Sequence, residues 1–171
     1  PEIGLVYDPI RDECFVAQRG RGSWLNGLSM GTAVPVHLPL KRTIAVVDFK
    51  RLDRALAAKL GAEPPYGSQR NFGSSALDWC WLADGRFHVY LHGGQKLWDY
   101  AAGILILTEA GGQAVTLDGE EVFTSGLDSV SRRHRGPAWS PPHRGRGPGA
   151  RCVIPRPPSR SVRTGDVQLV R

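Results

Sequence analysis

The chain has 171 residues, of which 41% are hydrophobic and 22% charged, close to an ordinary soluble globular protein and unlike a collagen-like or wholly disordered chain. No stretch approaches the run of about 18 apolar residues that a membrane span needs. The formal net charge of +6 would point to nucleic acid or a membrane surface if it were spread over the fold. It is not: residues 1–130 carry 12 Lys+Arg and 15 Asp+Glu (net −3), while residues 131–171 carry ten Arg, no Lys and the single acid Asp166 (net +9).

The opening Pro1-Glu2-Ile3-Gly4 has no basic-then-apolar leader and reads as the middle of a protein. Ile3 to Tyr7 is a short apolar strand, Asp8-Pro9 is turn chemistry, and Glu13 to Gln18 returns as the second strand of a hairpin. Arg19 to Gly27 reads as a glycine-rich connection. Met30 to Leu40 alternates apolar residues around two prolines, as an edge strand does. Thr43 to Val47 is a β-branched run suited to a buried parallel strand. Leu52, Ala55, Leu56 and Leu60 share one face of a helix that stops at Gly61.

Pro64 to Gly67 reads as a loop. Ser74 or Ser75 can cap a helix to about Ala83, with Asp78 completing a capping box and Gly85 closing it. Arg86 to Leu91 alternates as a strand, and His92 to Leu97 is a loop. A helix from about Asp99 to Ala110 is closed by Gly111-Gly112, and Gln113 to Leu117 is a strand turned by Asp118-Gly119. Alternating strands and helices define an α/β layered domain. From Ser131 the pattern breaks: seven of the 13 prolines fall there and no period survives, so a disordered tail, natural or an out-of-frame reading, is expected. The three cysteines, Cys14, Cys80 and Cys152, are too few and scattered for a disulfide framework or a metal knuckle and read as reduced thiols of a cytoplasmic protein.

Two stretches carry chemistry. In Leu97-Trp98-Asp99-Tyr100-Ala101-Ala102-Gly103, Asp99 falls in a first helical turn, where the macrodipole keeps it ionised as a hard oxygen ligand, and the three small residues allow close approach of a neighbouring element. Taken alone it could equally be a favourable N-terminal residue on a core helix. In Gly73-Ser74-Ser75, a tight turn and the free N–H groups of a helix start offer a place for phosphate or polyol oxygens, or simply an ordinary N-cap.

In combination, Gly73-Ser-Ser-Ala-Leu-Asp-Trp-Cys-Trp-Leu-Ala-Asp-Gly-Arg86, Trp98-Asp-Tyr-Ala-Ala-Gly103 and Thr108-Glu-Ala-Gly-Gly112 resemble the C-terminal half of the inositol monophosphatase family of Mg-dependent sugar-phosphate phosphatases. Gly4-Leu-Val-Tyr-Asp-Pro9 through Gly20-Arg-Gly-Ser-Trp-Leu-Asn-Gly27 resembles that family's upstream hairpin, so the resemblance covers roughly residues 3–125. It implies an α/β/α/β/α sandwich of the inositol monophosphatase and fructose-1,6-bisphosphatase type, here N-terminally truncated and with an irregular C-terminal tail. It divides the chain into a sheet remnant (1–40), a C-terminal α/β domain (41–127) and the Arg/Pro/Gly-rich tail (128–171).

The resemblance further implies hydrolysis of a small phosphate monoester, inositol phosphate-like, by Mg-activated water. Asp99 becomes a metal ligand, and Gly73, Ser74 and Ser75 line the substrate pocket. His92 stands where the family often places a carboxylate that contacts a substrate hydroxyl, which puts inositol itself in doubt and, with Lys96 nearby, fits equally a more anionic substrate and an ordinary solvated loop histidine. The implied partner is a small phosphorylated polyol, sugar or nucleotide, in a family that is often homodimeric, with no membrane and no nucleic-acid role. The family's other acidic motifs lie upstream of the hairpin and are missing; Asp8 to Glu13 imitates one but reads as a turn, and Glu120-Glu121 as a solvated pair. With Asp99 alone, the chain is expected neither to hold Mg tightly nor to hydrolyse sugar phosphates by itself. The alternatives are a non-catalytic remnant and a nucleic-acid-binding protein acting through the Arg-rich tail.

Overall fold

In the computed structural model, residues 1–31, 38–117 and 122 are described. Strands β1 (Ile3–Asp8), β2 (Glu13–Gln18), β3 (Gly22–Leu25) and β4 (Leu28–Met30) form an antiparallel meander in that order. The first hairpin is the expected one, with Tyr7 opposite Cys14 and Asp8 opposite Glu13. Its turn is organised by the buried Asp8 carboxylate, which accepts from the N–H groups of Ile10 (2.9 Å) and Arg11 (3.3 Å) and pairs with the Arg11 guanidinium at 2.9 Å. This turn chemistry accounts for the acidic stretch there.

The connection expected from Arg19 to Gly27 contains β3, with Ser23 and Trp24 buried. Four residues between glycine bends are too few to display an alternating pattern, so the strand was hidden. The edge strand expected from Met30 to Leu40 is not found among the described residues: β4 ends at Met30, Gly31, Leu38 and Pro39 are not strand and Leu40 opens a short 3-10 turn, while residues 32–37 lie outside the described residues, as do Asp118, Glu120, Glu121 and the tail.

A second sheet is parallel, in the order β6-β5-β7, formed by β5 (Ile44–Asp48), β6 (Ser68–Arg70) and β7 (Val89–His92). The β-branched run of β5 is the central strand, with Ala45, Val46 and Val47 at most 1% exposed, as a strand covered on both faces must be. β6, Ser-Gln-Arg, has no apolar residue and gave no signal. β7 starts three residues later than the expected Arg86. The strand expected over Gln113 to Leu117 reduces to a single bridge residue at Val115, because alternation makes a strand only where a neighbour supplies the ladder.

Helix α1 (Arg54–Ala62) is capped by Asp53, whose carboxylate accepts from the N–H groups of Ala55 (2.9 Å) and Leu56 (3.1 Å). Helices α2 (Ser75–Ala83) and α3 (Leu97–Glu109) end alike. Gly85 (φ +73°) and Gly111 (φ +90°) take the left-handed conformation, with Arg86 N–H on the Trp81 carbonyl at 3.0 Å and Gly112 N–H on the Leu107 carbonyl at 2.9 Å. The glycine closures read from the sequence for α2 and α3 are thus realised, whereas Gly61, expected to stop the first helix, lies inside α1.

α3 packs on β1, β2 and β3, while α2 packs on α3, β1 and β7; α1 covers the other side of the parallel sheet through Leu56, Ala57 and Leu60. The described residues therefore build four layers of the α/β/α/β/α order: antiparallel sheet, α2 with α3, parallel sheet, α1. Phe15, Ala17, Val46, Cys80, Phe87 and Ile106 form the central core. Closeness explains the small residues: a Cβ on Gly103 would collide with the Trp79 side chain of α2, and one on Gly4 would stand 2.8 Å from the Ala102 carbonyl oxygen. On the opposite face of β1, Ile3, Leu5 and Tyr7 are exposed.

One cysteine expectation is corrected. Cys80 is a free, buried thiol, but Cys14 is disulfide-bonded; a low cysteine count argues against a disulfide framework, not against a single bridge. Cys152 lies outside the described residues.

Candidate functional site

Parallel strands end their carbonyls and their following turns on one side, and in open α/β sheets ligands bind beyond those carboxyl ends. Here Asp48 closes β5, His92 closes β7 and Asn71 follows β6; all three face one cleft of about 260 Å³, with Ser75 at the start of α2 and Asp99 in the first turn of α3.

Of the residues singled out from the sequence, Gly73, Ser75, His92 and Asp99 line this cleft together. Ser74 does not line it; Ser74 is the N-cap of α2, and neither it nor Ser75 makes a side-chain capping bond. The expected capping box with Asp78 is therefore not formed. Asp78 is 3% exposed, and hydrogen-bonding with Tyr90 across the cleft replaces the bond to its own helix end. Gly73, at φ +83°, makes the tight turn expected of it. Asp48, Lys50, Arg51, Asn71, Asp78 and Tyr90 also line the cleft and were not anticipated. Asp48 carried a faint signal, a charged residue directly after a buried β-branched run.

Asp99 works partly as a cap. Its Oδ2 accepts the Lys96 N–H at 2.9 Å, and its own N–H donates to the Lys96 carbonyl at 2.8 Å, leaving Oδ1 for other partners. His92 Nδ1 accepts the Gly94 N–H at 3.1 Å, and Nε2 lies 3.6 Å from Asp48 Oδ2, an arrangement that selects the Nε2–H tautomer. Burial lowers the His92 pKa, and Arg51 and Lys50 lower it further against the opposing pull of Asp48 and Asp99. The imidazole is thus neutral and donates toward Asp48.

The Asp78 carboxyl is pushed up to about 6, chiefly by burial, with the Asp48 charge adding and the Tyr90 hydrogen bond opposing. Burial also raises the Tyr90 hydroxyl well above its ordinary value, so it remains a proton donor. Tyr90 is fixed from the other side: Trp79 Nε1–H donates to Gln95 Oε1 at 3.0 Å, and Gln95 Nε2–H donates to the Tyr90 hydroxyl at 2.8 Å. This chain of bonds ties the loop before α3 to α2.

Glu109 has no part in the cleft. Its carboxylate accepts the N–H groups of Gly20 (2.7 Å) and Gly22 (2.8 Å), joining the end of α3 to the turn before β3.

Magnesium needs about six oxygen ligands in near-octahedral order. Asp48, Asp78 and Asp99 share the cleft without converging, and among the described residues no group of three or more acids, histidines or cysteines could hold a metal ion. Asp99 has one oxygen engaged by Lys96, and burial raises the pKa of Asp78 toward about 6. The described residues do not fit a complete magnesium site.

An α/β layered chain with a polar cleft at the carboxyl ends of its parallel strands is the class of protein that fold and site define. The model of the inositol monophosphatase family matches residues 1–143, and the chain belongs to that family. Among curated relatives, the Nus factor SuhB of Pasteurella multocida (strain Pm70) is 36% identical over 136 residues, covering 73% of this chain and 48% of the relative. The inositol-1-monophosphatase of Bacillus subtilis (strain 168) is 33% identical over 130 residues, covering 70% of this chain and 46% of the relative. The crystal structure of staphylococcal IMPase-II matches with a TM-score of 0.66 at 29% identity, over 74% of this chain and 49% of that one. A similar IMPase/NADP phosphatase, with a TM-score of 0.62 at 28% identity over 71% of this chain and 46% of that one, is complexed with NADP and Ca2+. The chain spans about half the length of the curated relatives it matches. Divalent-cation dependence and phosphatase chemistry are properties at the level of the family.

Among the described residues no helix is long and apolar enough to cross a membrane.

Proposed function

We propose that this chain provides the ester-binding side of a Mg-dependent phosphatase site for a small phosphate monoester of a polyol, sugar or nucleotide. The observation that carries the reading is the meeting of two helix starts, Gly73 to Ser75 of α2 and Asp99 of α3, over the carboxyl ends of the parallel strands. The first N–H groups of α2 have no helical partners and its Ser74 cap is not closed by a side chain, so phosphate oxygens can accept there, with Ser75 Oγ beside them. Asp99 presents its free oxygen, and Asp48, oriented by neutral His92 at one oxygen, offers its other oxygen to substrate hydroxyls. Magnesium supplies water activation in this chemistry. The described carboxylates are too few for it, so this chain is expected to bind an ester without turning it over.

Calorimetry with D-inositol 1-phosphate, beside an assay of phosphate release in Mg2+, tests both halves. Binding weakened by Ser75→Ala, with no release, is expected. Mg-dependent release abolished by Asp99→Asn would overturn the second half, and absence of any ester binding the first. A second reading, a non-catalytic role, draws on the relatives named Nus factors; it gains if neither binding nor release is seen.

A further inference from the structure

β1 is an open edge of the antiparallel sheet: among the described residues it pairs with β2 alone. In an antiparallel ladder the backbone groups of successive residues point alternately to the two sides of a strand. The Arg19 N–H donates to the Glu2 carbonyl at 3.0 Å, and the register runs on in step from Ile3 opposite Gln18 to Asp8 opposite Glu13, so Glu2, Gly4, Val6 and Asp8 turn their backbone groups to β2. Ile3, Leu5 and Tyr7 turn theirs outward. The same three side chains are exposed, on the face away from α3, since Gly4 between them lies against the Ala102 carbonyl. Edge strands are ordinarily guarded by a charge, a proline, a bulge or short length. β1 has no such guard: it is six residues long, its register is unbroken, and its outward row is uncharged. By contrast β6, an edge of the other sheet, is three residues long and carries the exposed Arg70.

This edge is complementary to itself. A second copy laid antiparallel, Leu5 against Leu5, brings Ile3 of each copy opposite Tyr7 of the other. These residues face outward in both copies, so every such pair exchanges both N–H···O bonds, and the apolar side chains fall together on one face. The charges agree as well. Glu2 of one copy comes opposite Asp8 of the other, and each acid has its own arginine, Arg19 at 3.3 Å from Glu2 and Arg11 at 2.9 Å from Asp8, so two neutralised pairs meet in place of two bare acids. We propose that the open edge of β1 is a self-association surface, at which two copies of this chain pair β1 with β1 about Leu5 into one continuous antiparallel sheet. The surface lies on the antiparallel sheet, apart from the cleft, and is independent of what the cleft binds. A single pair of strands is a small interface, so the dimer is reversible, with a dissociation constant on the order of 10 μM.

The test is sedimentation velocity of the full 171-residue chain, from about tenfold below to about tenfold above that concentration, where a shift from monomer to dimer is expected. Leu5→Lys sets two like charges face to face across the pairing axis and should weaken association at least about tenfold; Leu5→Glu should do the same. Mixed in equal amounts, these two variants should associate at least about tenfold more tightly than either alone, which loss of apolar surface by itself would not produce. Leu5→Pro removes the outward N–H, leaves the ladder to β2 intact, and should also abolish the dimer. Leu5 is exposed, and circular dichroism checks that each variant keeps the fold. A parent chain that stays monomeric over the whole range overturns the proposal. So does association left unchanged by Leu5→Lys and Leu5→Pro, or no gain on mixing the two charged variants.

Discussion

Gly103→Ala puts one methyl group where α2 and α3 meet, and the structure says what it would strike: the Trp79 side chain, beginning at its Cβ. A Cβ cannot swing aside as a side-chain tip can, so relief requires moving the α2 backbone. Overpacking of this kind costs about 1–3 kcal/mol, and the rigid neighbour places this case near 3. Replacing a helical glycine by alanine returns about 1 kcal/mol of propensity. The net expectation is a loss of about 2 kcal/mol, which at an m-value of about 2 kcal/mol/M lowers the urea midpoint by about 1 M. Gly61→Ala is the control: it is also helical, in α1, but an added Cβ there meets nothing within 4 Å, so stability should rise by up to about 1 kcal/mol. Urea unfolding followed by circular dichroism reads both. A midpoint unchanged or raised in Gly103→Ala, at unchanged m, would refute the claim that this glycine is required by helix contact.

Asp78 supplies a pH prediction. A carboxyl held at about 6 in place of 3.8 costs the fold on the order of 3 kcal/mol once ionised. The folded chain holds this proton more tightly than the unfolded chain, so the contribution is fullest below about pH 4, declines as the pH rises to about 6, and is level above. Asp78→Asn should remove that decline and raise stability at pH 8 relative to the parent; Asp8 and Glu13, held low by Arg11 and Arg86, slope the other way in both proteins and cancel in the difference. Equal pH dependence of parent and variant would count against the assignment. Glu109→Ala should lower stability by about 1–2 kcal/mol in urea unfolding, since two N–H groups lose a charged acceptor, with Glu109→Gln recovering part; no loss would show that the turn finds other partners.

Much of the fold was legible wherever a short-range rule decided it. The β-branched run of β5, the hairpin around Asp8, and the glycines that close α2 and α3 each act within a few residues of themselves. The site was half legible. Gly73, Ser75, His92 and Asp99 were marked by a family pattern and do share a cleft, but Asp78 was read as a helix cap because sequence shows its neighbours along the chain and not Tyr90 across the cleft. Lys50, Arg51 and Asn71 follow strands whose order in the sheet, β6-β5-β7, no local pattern contains.

The sequence by itself determined the layer type, the helix ends and the mild acidity of residues 1–130, because propensity, capping and charge are properties of near neighbours. Only the tertiary structure decided that β6 exists, that Glu109 serves a distant turn, and that Lys50, Arg51 and Lys96 line one cleft with His92. Those outcomes depend on contacts between segments tens of residues apart, above all the press of Gly93 against Arg51, and such contacts are made by packing, not by local preference.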